Sequence, residues 1–263
     1  MATLVSFHAH PDDETVLCGG TLYLAAQAGH RVVLVCATDG RRGEYPDNLL
    51  APGESLAERR RRELADAARI LGIARVVHLG YHDSGMLGDP GNVDPDSFHA
   101  ADLEQAAGRL ATVLREESAE LLTVYDHHGT YDHPDHVQVH RVGVRAAELA
   151  GTPEVMEATL CRDRIARMRA HLDPAAADRS RVEGTEEDTI GLPESELNTR
   201  VDLGPALDIK RAALAAHASQ YPKESFFRRL PDEAFVIGFG TEWYRRRPTS
   251  NGQVRATYPF AEG

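Results

Sequence analysis

The chain has 263 residues, 42% of them apolar and 27% charged, which suits a soluble protein with a core of ordinary size. Twenty-nine basic residues against forty-one acidic ones give a net charge of −12 with histidine neutral. That balance argues against nucleic acid or an anionic membrane as a partner. Three scattered cysteines, Cys18, Cys36 and Cys161, form neither a disulfide framework nor a zinc-finger spacing. The N-terminus lacks the basic and apolar regions of an export signal, and no run reaches the roughly 18 apolar residues of a membrane span. A cytoplasmic protein without membrane insertion is expected; the pattern does not decide for or against a homo-oligomer.

Leu4 to Phe7 predicts a first strand, followed by His8-Ala-His10-Pro-Asp12-Asp13-Glu14 and a helix over Thr15 to Ala28. Carboxylates are rarely buried unless paired or bound to metal, so this density of acids and imidazole at a strand exit points to a divalent cation. Gly19-Gly20 inside the helix suggests close packing against the sheet, or room for something else to approach. Arg31 to Cys36 reads as a strand covered on both faces, and Thr38 to Tyr45 as a polar loop at the same end. A helix follows over about 53–71, stopped by Gly72, with Leu64, Ala67, Ala68 and Leu71 as its apolar face. Its arginines, Arg59 to Arg62, read mostly as a solvated face.

Arg75 to Leu79 predicts a strand and Gly80 to Met86 another polar exit loop. Ala101 to Glu117 reads as helix, Glu120 to Tyr125 as strand, and Pro134 suits the first turn of a helix reaching Leu149. Helices alternating with short apolar strands indicate a doubly wound α/β sheet. Beyond residue 150 the expectations are a strand at Val155–Leu160, a helix at Asp163–His171, and a polar excursion at 173–196. Further on come a strand at Asn198–Leu203 and a helix at Pro205–His217. Phe235–Phe239 and Thr241–Arg245 are expected to extend the sheet or pair at its edge.

Two clusters carry the chemistry. His10, Asp13 and His136 make a set of imidazole and carboxylate ligands suited to a catalytic zinc, which keeps one position open for water. Asp12 is then left as the base for that water. His133, three residues before His136, is available as oxyanion donor, acid or partner of Asp12. His136 with His140 is a competing ligand pair at the same helical spacing, and Asp135 is a candidate cap for the helix at Pro134. No Gly-x-Ser-x-Gly elbow, phosphate loop or Gly-x-Gly-x-x-Gly is present.

The run Ala9-His-Pro-Asp-Asp-Glu14 together with His133-Pro-Asp-His136 resembles the signature of the LmbE-like, or PIG-L, zinc-dependent de-N-acetylases. The likeness continues through Thr38–Glu44, Arg60–Leu64, Gly80–Met86, Lys210–Leu214 and His217–Gln220. In appearance the chain is nearest to the N-acetylglucosaminyl-inositol deacetylase and the mycothiol S-conjugate amidase, but it has His82 where that subgroup usually has arginine. The resemblance implies a Rossmann-like, doubly wound, mostly parallel sheet with helices on both faces. Residues 1–150 would form the metal-binding core, and residues 151–263 an irregular C-terminal part completing the same domain. It implies zinc, or another divalent ion such as Fe2+, on His10, Asp13 and His136, with Asp12 as general base. His133 would stand near the oxyanion or leaving group, Tyr131 would be a mobile carbonyl-polarising group, and Asp135 would tune the histidines. Arg60, Asp83 and Glu44 fall at substrate-contacting positions. The implied reaction is hydrolysis of the N-acetyl amide of an N-acetylglucosamine-type conjugate, a small-molecule partner. The alternatives are an amidase acting on a thiol conjugate and a non-catalytic carbohydrate-binding protein.

Overall fold

A run such as Val32-Val-Leu-Val-Cys36 has no polar face to offer water, so it is stable only inside a sheet covered on both sides. The computed structural model describes residues 1–172, 177 and 190–247. Five strands run parallel: β1 (Thr3–His8), β2 (Arg31–Thr38), β3 (Arg75–Tyr81), β4 (Leu121–Tyr125) and β5 (Glu154–Thr159). Two more complete the sheet, β6 (Thr199–Asp202) and β7 (Thr241–Arg246), in the order β3-β2-β1-β4-β5-β7-β6. Strand β7 is antiparallel to both of its neighbours. The sheet is therefore mixed, mostly parallel and flanked by helices, as the alternating pattern predicts.

One group of helices comprises α1 (Asp13–Leu17), α2 (Gly19–Gln27), α3 (Leu56–Leu71) and α8 (Ala206–Ala216); another is formed by α4 (Leu103–Glu116) with α6 (Pro134–Ala150), which packs on β4 and β1. The short turns α5 (Gly129–Asp132) and α9 (Phe226–Arg229), with α7 (Arg162–Ala170) and α10 (Asp232–Phe239), complete the helices named here. Helix α3 is bounded by chemistry readable in the sequence. Ser55 and Glu58 form a reciprocal capping box, and Gly72 closes the other end at φ 73°.

Two expectations change. The single helix expected over 15–28 is broken at Cys18, and the Glu242 carboxylate accepts the amides of Gly20 and Thr21 at 2.9 and 2.8 Å, capping α2 from a distant strand. A Cβ on Gly20 would lie 2.3 Å from the Leu203 side chain, so close packing is the reason for glycine there. Phe235–Phe239 is helical: Asp232 and Glu233 open α10, and Phe235 and Phe239, one turn apart, pack with Ile165 and Met168 of α7. A short apolar run does not by itself separate a buried helix from a strand. Strand β7 does extend the sheet, lying inside it with β6 at the edge. Most of the 173–196 excursion, and the last dozen residues, lie outside the described residues. Among those described, no helix is long and apolar enough to cross a membrane.

Candidate metal centre

Strand β1 pairs with β2 on one side and β4 on the other, so the chain direction of the winding reverses between β1 and β4. In such sheets ligands gather beyond the carboxyl ends of the strands at this point. The exit of β1 carries His10, Asp12 and Asp13; the exit of β4 leads to Tyr131, His133 and His136. The order of strands brings together residues more than a hundred positions apart.

His10 Nδ1 lies 3.3 Å from His136 Nε2 and 3.4 Å from an Asp13 carboxylate oxygen, while His136 Nε2 is 3.4 Å from the other Asp13 oxygen. Donors bonded at about 2.0–2.1 Å in a tetrahedron stand roughly 3.3–3.4 Å apart. The three side chains thus fit a tetrahedral divalent ion, and His136 is only 1% exposed. The competing pair is not formed. One turn further along α6, His140 turns its Nδ1 to the Tyr125 carbonyl at 3.0 Å, beside Glu157.

Behind these three candidate donors lie further carboxylates. His10 Nε2 lies 3.2 Å from Asp135 and 3.4 Å from Asp83. A proton held there leaves the Nδ1 lone pair facing Asp13 and His136, the arrangement that orients a metal-binding imidazole. Burial opposes charge on His10, but Asp83, Asp13 and Asp135 outweigh it and hold its pKa well above the ordinary value. Asp135, fully buried, also accepts the Ser84 amide at 2.9 Å and the Ser84 hydroxyl. It does not cap α6. That role belongs to His133, whose Nδ1 accepts the Asp135 amide at 3.1 Å. With Nδ1 accepting, His133 carries its proton on Nε2. Burial, with His10 and His136 nearby, pushes its pKa down to about 2. This environment favours the neutral imidazole.

Asp12 sits at φ 140°, ψ −27°, a backbone conformation that costs a non-glycine residue about 1–3 kcal/mol. One carboxylate oxygen accepts Arg60 Nη2 at 2.8 Å; the other has no hydrogen-bond partner among the described residues. Burial raises the Asp12 pKa and Arg60 opposes the rise. Tyr131 brings its hydroxyl to 3.3 Å from His136 Nε2, at the edge of the metal triad. It rides on a strained turn, with Thr130 at φ 71° and Asp132 at φ 62°, held by the Asp126 carboxylate through the amides of His128 and Thr130.

The three expected substrate contacts are placed differently. Arg60 is 3% exposed, and its guanidinium donates to the Pro11 carbonyl, the Gly40 carbonyl and Asp12. Gly40 and Gly43 pack so close that a Cβ on either would lie 2.6 Å from Arg60 atoms. Arg60 is thus a clamp on Asp12 and is not directed at open space. Asp83 is buried behind His10 with both oxygens engaged, accepting the amides of Arg42 at 3.1 Å and Gly85 at 2.9 Å. Glu44 alone is exposed, on the loop after β2, where its carbonyl accepts Gln220 Nε2 at 3.1 Å. Reading the sequence missed Ser84 and the buried Glu14–His217 pair. Glu14 was visible in the acidic run, but nothing local marks its partner.

Residues 5–147 match the PIG-L family profile, described as GlcNAc-PI de-N-acetylase. The chain belongs to this family. It is 37% identical over 259 residues to the 1D-myo-inositol 2-acetamido-2-deoxy-alpha-D-glucopyranoside deacetylase of Thermomonospora curvata, covering 90% of this chain and 87% of that protein. Among solved structures it is similar to the N,N'-diacetylchitobiose deacetylase of Pyrococcus horikoshii in complex with an inhibitor (TM-score 0.61, 19% identity, 96% of this chain and 86% of that one). It is also similar to the 4-carboxy-2-hydroxymuconate hydratase GalB of Pseudomonas putida KT2440 (TM-score 0.60, 20% identity, 94% of this chain and 96% of that one). A hydratase on the same scaffold means that the fold alone does not choose the reaction.

Proposed function

We propose that this PIG-L family member is a zinc-dependent hydrolase that removes the N-acetyl group from an N-acetylglucosamine-type sugar conjugate, releasing acetate and a free amine. The observation that carries the reading is the meeting of a three-donor metal triad with a buried aspartate that has one oxygen clamped and one unengaged. The names of the relatives over most of the chain's length support the substrate class. A bound divalent cation would supply Lewis-acid polarisation of the amide carbonyl and a lowered pKa for water; Fe2+ would suit the same donors.

The remaining chemistry falls to this chain's side chains. Asp12 receives the proton of the attacking water on its unengaged oxygen, while Arg60 fixes the carboxylate plane. The Tyr131 hydroxyl and the Nε2–H of His133 stand ready to donate to the oxyanion that develops on the acetyl group. Asp12, whose pKa burial raises, then hands its proton to the departing amine. Asp135 and Asp83 keep His10 in the tautomer that ligation needs. Glu44, exposed on the loop after β2, remains the substrate contact proposed among the three expected.

Mass spectrometry of the zinc-loaded protein with a panel of N-acetylglucosamine conjugates, the inositol glycoside included, tests the reading. Loss of an acetyl group with matching acetate is the expected result. Release of a larger acyl product from a thiol conjugate, with acetyl amides untouched, would move the protein to the amidase class.

A further inference from the structure

The strained backbone of Asp12 has to be held by something. Three groups hold it: Thr15 Oγ1 donates to the Asp12 carbonyl at 2.7 Å, Arg60 grips the carboxylate, and the Asp12 amide donates to Glu14 Oε2 at 3.0 Å. Glu14 in turn meets His217 Nε2 through its other oxygen at 2.7 Å, and neither side chain is exposed at all. Burial disfavours the charged imidazole, yet Glu14 outweighs this and raises the His217 pKa.

His217 ends α8 and starts a turn whose next residues reach the other walls of the site. Ser219 donates its amide to Glu63 at 3.0 Å and its hydroxyl to the same carboxylate at 2.6 Å, on the helix that carries Arg60. Gln220 donates to the carbonyl of Glu44, on the loop that packs over Arg60. One short turn, 203 residues after Glu14, thus ties down the exit of β1, helix α3 and the loop after β2.

We infer that Glu14 and His217 are positioning residues for the proposed general base: the His217–Gln220 turn holds Glu14 so that Glu14 holds the amide of Asp12, fixing its left-handed backbone next to Asp13 of the metal triad. This inference rests on Asp12 being the base. Its chemistry is geometric. Glutamine at position 14 keeps an acceptor for the Asp12 amide and turns its NH2 to His217 Nε2, which accepts once the imidazole holds its proton on Nδ1, whereas alanine keeps neither contact.

The test compares Glu14→Gln, Glu14→Ala and His217→Gln as zinc-loaded proteins, measuring kcat, KM and zinc affinity and solving each crystal structure. Displacing a catalytic group by about 1 Å costs on the order of 10²-fold in rate. Glu14→Ala and His217→Gln are expected to lose kcat on that scale with KM and zinc affinity within about threefold of the parent, and Asp12 is expected to leave φ near 140°. Glu14→Gln is expected to retain kcat within about fivefold and to keep the Asp12 backbone. Unchanged kcat in Glu14→Ala and His217→Gln would overturn the inference. So would a loss of rate with the Asp12 backbone undisturbed, or a Glu14→Gln variant as impaired as Glu14→Ala. If His217→Gln does not fold, the two Glu14 variants decide alone. Failure of the underlying reading looks different: Asp12→Ala would then turn over at the parent rate, whatever the Glu14 variants do.

Discussion

His10 shows how a single side chain is committed by its surroundings. With Asp83 and Asp135 at Nε2 and Asp13 at Nδ1, the metal-free imidazole keeps a second proton above its ordinary pH range. A cation must displace that proton from Nδ1, so apparent affinity for zinc should rise with pH, by about tenfold per unit until the raised pKa is passed. Titrations with a competing chelator between pH 6 and 8 measure this, and a flat profile would contradict it. Asp135→Asn removes the carboxylate that orients His10 and is expected to weaken zinc binding about 10–100-fold. Isothermal titration of the variant reads this directly. The triad was legible in the sequence because both motifs bring their ligands at short, regular spacings. The role of Arg60 was also within reach. It shares the inner face of α3 with Leu64, Ala67 and Leu71, whereas Arg61 and Arg62 are exposed. What spacing does not tell is the object toward which an inward arginine points, and here it is the chain's own Asp12.

At the scale of elements, the C-terminal strand and helix are not appendages. Lys210 of α8 and Glu242 of β7 form an ion pair at 2.7 Å, 1% and 2% exposed, and Glu242 also caps α2. Breaking one side of a buried pair leaves an uncompensated charge, so Lys210→Met is expected to destabilise the protein by about 3–5 kcal/mol. Chemical denaturation checks this; a loss below about 1 kcal/mol would mean that water reaches the stranded carboxylate. This contact joins residues 32 positions apart in no local pattern, as does Glu14 with His217 at 203 positions. Both were invisible for the same reason: pairing between distant elements leaves no periodicity in a single sequence. The reading of Phe235–Phe239 failed differently. Its apolar run suits either a strand or a helix, and packing of Phe235 and Phe239 against α7 decided for helix.

For the whole molecule, the parallel sheet places two loops at the reversal of strand order, and the sequence pattern foretold that much. The buried carboxylates around the triad would favour a cation at the centre of the molecule. Zinc at 100 times its dissociation constant should add about 2.7 kcal/mol to stability. Calorimetry should show a rise in Tm of several degrees on zinc addition, reversed by chelator and absent in His136→Ala; an equal rise in that variant would place the stabilising metal elsewhere.

Most directly, the division of labour between ligands and base is tested by the zinc content of two variants, by elemental analysis after purification in zinc. Asp12→Ala is expected to hold about one ion per chain while its amine release collapses, and His136→Ala to hold none, since His136 supplies one of only three donors. Equal zinc in both variants would contradict the account.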